Sequence, residues 1–276
     1  MFHKMSLGKG IPNLGNTCYI NSILQCLRYS KNLVYILKFH TTDKNSLLVA
    51  SIVELLYADA PIQNLYNMIR ELSKTGEFKL MKQCDAHELF LFLVDKMFTE
   101  MKQYKNPFEG LLQSTITCQT CQHKSVTKYP FVTISVQVPP QKFGMTYSIE
   151  ELIEDFCEEE TIEDLIQCDK CETKRKSCKQ LDIKANNSLV IHLKRFQGMN
   201  KNHSPVEMNT EITVNNQSYR LYGICNHSGS LMGGHYTAAC MKRDGTWNLC
   251  NDKNVTNIAS VPKESDRPYI LFYSKI

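Results

Sequence analysis

The chain has 276 residues, 42% hydrophobic and 22% charged, which is the make-up of an ordinary globular protein with a sizeable core. Its 32 basic and 28 acidic residues leave a net charge of +4, too small an excess to mark nucleic acid or an anionic membrane as a partner. No stretch reaches the roughly 18 apolar residues of a membrane span. "MFHKMSLGKGIPN" lacks the apolar centre of a signal peptide, which predicts a cytoplasmic or nuclear protein.

The first hundred residues read as helical. After Cys18, the residues Ile20, Ile23, Leu24 and Leu27 fall at i, i+3, i+4 and i+7, with Asn16 or Thr17 placed to cap the helix. "NSLLVASIVELLY" and "IQNLYNMIRELSK" carry further helical patterns. From Asp85, the positions Ala86, Leu89, Phe90, Leu93, Val94, Met97 and Phe98 hold the same period for more than three turns. Beyond Pro107 the texture changes to short β-like runs separated by turn residues: "STITC", "KYPFVTISVQV", "NSLVIHLKRF", "SYRLYGICNHSG", "HYTAACM", "TWNLC" and "YILFYSKI". One acidic amphipathic segment, "SIEELIEDFCEEETIEDL", interrupts them with Ile149, Leu152, Ile153 and Phe156 on one face. Helices followed by strands predict an α+β protein.

Twelve cysteines in a reducing compartment point to metal binding or catalysis rather than disulfides. "CQTC" pairs Cys118 with Cys121 and "CDKC" pairs Cys168 with Cys171. Two such turns offer four thiolates, a complete tetrahedral set for one zinc ion. Four thiolates leave no open coordination position, so the zinc is expected to be structural.

Cys18 is the candidate nucleophile, because a helix start favours an anion. A cysteine nucleophile needs a base, a group that orients the base, and donors for the oxyanion. His235 in "SGSLMGGHYTAAC" is the candidate base, placed at a strand start behind Gly233 and Gly234. Asn251 and Asp252 in "WNLCND" each offer an acceptor for the imidazole N–H. Cys26, Cys84, Cys225, Cys240 and Cys250 lie in or beside apolar runs and read as core.

These residues resemble the ubiquitin-specific proteases, a family of papain-like cysteine peptidases. "GIPNLGNTCYINSILQCL" is similar to the family's cysteine box and "QCDAHELFLFLVDKM" to its Gln-Asp-Glu box. "LVIHLKRF" matches the strand after the finger zinc site. "YRLYGICNHSGSLMGGHYTA" with "WNLCNDKNV" resembles the histidine box and the third-residue segment. The matches run in family order over nearly the whole chain.

The resemblance implies one catalytic domain over residues 8–275. It is a hand with a helical thumb (about 8–110), zinc-bearing β fingers (about 111–185) and a β palm (about 186–275). It implies Cys18 as nucleophile, His235 as base, Asn251 as orienting residue with Asp252 a close rival, and Asn13 as oxyanion donor. It also implies contacts from Asp85, Glu88, Gln83, Gly233, Gly234 and Tyr236 to the basic, extended tail of ubiquitin. The expected reaction is hydrolysis after the last glycine of ubiquitin, with ubiquitin and ubiquitinated proteins as partners and a monomeric enzyme. A ubiquitin-binding pseudo-enzyme and a peptidase for another ubiquitin-like modifier are the alternatives.

Overall fold

The computed structural model describes residues 8–39, 46–56, 62–79, 81–140, 145–198, 200–230 and 233–276. Helices α1 (Cys18–Arg28), α2 (Lys31–Phe39), α3 (Leu47–Leu56), α4 (Ile62–Lys74) and α5 (Ala86–Glu100) come first. Strands β1 (Gly110–Cys118), β2 (Lys124–Phe131), β3 (Ile134–Gln137) and β4 (Tyr147–Ser148) lead into α6 (Ile149–Cys157). After it come β5 (Glu160–Thr161), β6 (Ile166–Cys168), β7 (Thr173–Arg175), β8 (Ser177–Lys184) and β9 (Ser188–Lys194). The short strands β10 (Phe196–Gln197), β11 (Asn200–Lys201), β12 (Val206–Glu207) and β13 (Glu211–Val214) follow. The chain closes with β14 (Gln217–Ser230), β15 (Gly233–Met241), β16 (Trp247–Asn251), β17 (Asn254–Ile258), β18 (Glu264–Ser265) and β19 (Pro268–Lys275).

The main sheet runs β17-β16-β15-β14-β19-β9-β3, with β13 added to β14. Both of its faces are covered. Along β19, Ile270 and Phe272 pack with α1, α3 and α5, while Leu271 and Tyr273 join a second core containing Ile149 and Leu152 of α6. Successive strand side chains point to opposite faces, so a strand covered on both sides reads as the unbroken apolar run "YILFYSKI". The α+β expectation holds.

α1 departs from the one-sided stripe. All of its residues are buried, the polar ones included. Arg28 donates through Nε and Nη2 to Leu55 O, and Gln25 Nε2 donates to Lys9 O at 2.8 Å. Asn21 Nδ2 donates to Ile11 O at 3.2 Å and Asp252 Oδ1 at 2.8 Å. The polar side of the helix is therefore a rack for residues 9–12 and for the turn after β16, not a solvated face.

A second sheet, β2-β1-β8-β5, carries the first cysteine pair at its end, and the β6–β7 hairpin carries the second. "KYPFVTISVQV" does not form one strand. Its first half ends β2, an edge strand in which Pro130 costs no needed ladder bond; its second half is β3 in the main sheet. The acidic segment is helical only to Cys157, starting with a capping box in which Glu151 N donates to Ser148 Oγ and Ser148 N to Glu151 Oε2.

Candidate active site

Cys18 is the first residue of α1. Thr17 precedes it without capping the helix through its side chain. Asn13 organises this turn instead: its Oδ1 accepts from Gly15 N at 3.0 Å and Thr17 N at 3.2 Å. The turn needs left-handed backbone at Gly15 (φ +98) and Asn16 (φ 57), residue types that adopt it most readily. Cys18 is buried, with only 3% of the residue exposed. Burial raises its pKa first of all and the charge of Asp252 adds to this, while the N–H of Tyr236, the Gln83 amide and the N–H of Tyr19 pull the other way. The net shift is upward, because desolvation outweighs the donors.

His235 lies on β15, with Nε2 2.7 Å from Asn251 Oδ1 at the end of β16. A carboxamide oxygen only accepts, so Nε2 carries the hydrogen and Nδ1 is the basic nitrogen. Asp252 does something else. Its Oδ2 accepts from Asn13 Nδ2 at 3.0 Å, its Oδ1 from Asn21, and its carbonyl from Ile11 N at 2.9 Å. Of the two rival residues, Asn251 meets the imidazole and Asp252 meets Asn13. A Cβ at Gly10 would collide with the Lys253 carbonyl, which is why the N-terminal segment can lie flat on this turn. Among the described residues no hydrogen bond joins Cys18 to the His235 ring. The link is one residue removed, through the N–H of Tyr236 and through Gln83.

The other predicted positions divide. Asp85 caps α5, its Oδ1 accepting from His87 N at 2.6 Å and Glu88 N at 3.1 Å, and its Oδ2 accepts from the Tyr269 hydroxyl. Glu88 is exposed; partial burial, Asp85 and Glu77 all raise its carboxyl. These three acids stand together. Gln83 Nε2 is 3.4 Å from Cys18 Sγ and 2.9 Å from Gly234 O, and its Oε1 accepts from Gly234 N at 3.0 Å. Gly233 opens on free space, whereas a Cβ on Gly234 would collide with His227 Nε2 and lie 2.6 Å from Ser228 O. The need for glycine at 234 is thus internal packing. The Tyr236 side chain is buried against the His227 ring, 4.7 Å between centroids, and offers the site its backbone N–H rather than its phenol.

The four paired cysteines converge. Their sulfurs all lie within 4.8 Å of one another, with Cys121–Cys168 at 3.6 Å and Cys118–Cys171 at 4.0 Å. A tetrahedron with Zn–S bonds of about 2.3 Å has S–S edges of about 3.8 Å, so this donor set fits one such ion. Both knuckles turn alike: the residue after the second cysteine is left-handed in each, Gln122 (φ 58) and Glu172 (φ 54).

Sequence reasoning missed Asn21 and Tyr269. Asn21 had a signal, a carboxamide inside an otherwise well-packed helix. Tyr269 had none, being one aromatic among many.

A family model described as "Ubiquitin carboxyl-terminal hydrolase" matches residues 9–273. Ubiquitin carboxyl-terminal hydrolase Usp2 of Drosophila melanogaster is 29% identical over 327 residues, covering 96% of this chain and 34% of that protein. Ubiquitin carboxyl-terminal hydrolase 2 of Homo sapiens is 26% identical over 339 residues, covering 96% of this chain and 54% of that one. The chain therefore spans about a third to a half of these relatives. Among solved structures, the SAGA DUB module of Ubp8, Sgf11, Sus1 and Sgf73 bound to monoubiquitin matches with a TM-score of 0.85 and 25% identity, covering 100% of this chain and 71% of that chain.

Proposed function

Since the chain belongs to the ubiquitin carboxyl-terminal hydrolase family, we propose that it is a deubiquitinating cysteine peptidase that cuts the peptide or isopeptide bond after the last glycine of ubiquitin. The observation that carries this reading is the pairing of His235 with Asn251 and of Asn13 with Asp252 around the start of α1. His235 Nδ1 takes the proton of the Cys18 thiol as the sulfur adds to the glycine carbonyl carbon. The resulting oxyanion receives hydrogen bonds from Asn13 Nδ2 and the N–H of Cys18, donors that act on charge present only in the transition state. The tetrahedral species collapses, and His235 passes its proton to the departing lysine amine. A thioester of ubiquitin remains on Cys18. His235 then takes a proton from water, whose oxygen adds to the thioester, and ubiquitin leaves as its carboxylate while Cys18 regains its proton.

Asp85 and Glu88, beside Glu77, are suited to the arginines of the Leu-Arg-Leu-Arg-Gly-Gly tail. In this reading residues 8–110 form the thumb, 111–185 the fingers and 186–275 the palm, and Cys118, Cys121, Cys168 and Cys171 hold one structural zinc ion. The enzyme works as a monomer in the cytoplasm or nucleus.

Ubiquitin bearing a C-terminal electrophile should label Cys18 covalently, and the wild type should turn over a ubiquitin C-terminal fluorogenic amide while Cys18→Ser does not. Labelling of a different cysteine, with Cys18→Ser still active, overturns the assignment. Binding without turnover would mark a pseudo-enzyme, and a preference for a related modifier would redirect the substrate.

A further inference from the structure

β16 parts from β15 before the site is reached. The two strands pair from Met241–Trp247 only to Ala238–Cys250, while β15 continues to Gly233 against β14. An antiparallel ladder aims the N–H and C=O of alternate residues at one edge. The edge that meets Cys250 at Ala238 therefore presents Tyr236 and Gly234 as well, at positions that β16 has vacated. Backbone polar groups left inside a protein need partners, and here the thumb provides them. The Tyr236 N–H faces the Cys18 sulfur. Gln83 meets Gly234 in both directions, accepting from its N–H at 3.0 Å and donating to its carbonyl at 2.9 Å, as a neighbouring strand would.

Both sides of this contact are fixed. Two residues after Gln83, Asp85 is held by His87 N, Glu88 N and the Tyr269 hydroxyl. Two residues before it, Met81 O accepts from Asn16 Nδ2 at 2.7 Å, which ties this segment to the turn that launches α1. Gly234 is backed by the His227 ring, and a Cβ on the facing Gly229 would lie 2.7 Å from Gly234 Cα.

We propose that Gln83 is a positioning residue that takes the place of the missing part of β16 and sets the strand carrying His235 in register with the helix carrying Cys18. It acts through the Gly234 backbone, and the 3.4 Å approach of its Nε2 to Cys18 Sγ is the measure of that register. The inference rests on reading Cys18 and His235 as nucleophile and base, and it gives Gln83 a role other than a grip on the ubiquitin tail.

The test compares the whole chain as wild type, Gln83→Ala and His235→Ala. In the first arm, without ubiquitin, the rate of Cys18 carboxymethylation by iodoacetamide is followed from pH 5 to pH 10, with the modified site read by mass spectrometry. If Gln83 sets the register, the wild-type profile differs from that of His235→Ala, and Gln83→Ala falls on the His235→Ala curve. A Gln83→Ala profile equal to wild type overturns the proposal. In the second arm, Gln83→Ala lowers kcat on a ubiquitin C-terminal fluorogenic amide by about 10- to 100-fold, the range expected for a misplaced reacting group. Ubiquitin affinity, measured in a Cys18→Ala background, stays within about 2-fold, a difference of only about 0.4 kcal/mol. An affinity loss with kcat preserved makes Gln83 a tail contact and overturns the proposal. Should Gln83→Ala not fold, Gln83→Met fills the same length without either hydrogen bond and carries the same comparison. If the wild type neither binds nor cuts ubiquitin, that failure belongs to the proposed function, and the alkylation arm alone decides on Gln83.

Discussion

Asp252→Ala is expected to impair catalysis through Asn13, not through His235. The Asn13 carboxamide is fully committed on its oxygen side, where Gly15 N, Thr17 N and Thr17 Oγ1 converge on Oδ1. Its Nδ2 has two hydrogens, one held by Asp252 Oδ2 at 3.0 Å and one left for a developing oxyanion. A hydrogen bond to a charged group is worth about 1.5–3 kcal/mol, and its loss frees the direction of Nδ2. Losing an oxyanion donor altogether costs about 2.7–4 kcal/mol, or roughly 10²–10³ in kcat. Asp252→Ala should therefore approach Asn13→Ala in kcat, and the double variant should be hardly slower than Asn13→Ala alone. Asn251→Ala acts on the imidazole, so its effect should multiply with that of Asn13→Ala. The assay is steady-state turnover of a ubiquitin C-terminal fluorogenic amide by each single and double variant, read as a double-mutant cycle. If Asp252→Ala and Asn13→Ala multiply, with coupling below about 0.5 kcal/mol, while Asp252→Ala and Asn251→Ala do not, the reasoning is refuted and Asp252 serves the base.

Three further outcomes follow from the geometry. Metal analysis should find about one zinc per chain, and chelation or Cys121→Ser should strip protection from β1, β6 and β7 in hydrogen exchange, as expected where binding free energy is folding free energy. Gly234→Ala should lower kcat by about 10²-fold, because the added Cβ meets His227 and shifts the strand bearing His235; wild-type kcat would refute this. Burial holds the His192 ring at a pKa of about 3, below its ordinary 6.5. The unfolded chain then takes up a proton that the folded one does not, so stability falls as pH drops from about 6.5 towards 3, by about 1.4 kcal/mol per unit for this ring. Burial lowers the pKa of His227 and His87 as well, so thermal melts between pH 7.5 and pH 5 should fall more steeply than one ring accounts for, and His192→Gln should remove this ring's share of the slope.

The elements that show in the sequence are those whose periodicity and burial agree. α5 is legible because Ala86, Leu89, Phe90, Leu93, Val94 and Met97 are all buried on one side. α2 falls within the helical first hundred residues but is not singled out there, since "KNLVYILKF" is only nine residues long and mixes β-branched and aromatic side chains into a weak pattern. The cysteine pairs announce themselves by spacing, because each CxxC turn is a local structure. Cys18 and His235 are legible as candidates from residue type and local context alone. Their supports are not: Asn13 and Asp252 are separated by 239 positions, and no local rule says which acid faces which amide. Gln83 gave no signal as a bridge, for its part depends on where another strand ends.

The stitching of residues 9–21 to the turn at residues 251–253 has a consequence for biosynthesis. Ile11, Asn13 and Asn21 find their partner in Asp252, so the segment that bears Cys18 waits for almost all of the described chain to be translated. Contacts of such long sequence separation form late and slowly. A nascent polypeptide still tethered at the ribosome before residue 252 emerges would hold the Cys18 thiol without the carboxylate that Asn13 and Asn21 bond, and under the proposed function it is expected to be slow towards ubiquitin conjugates.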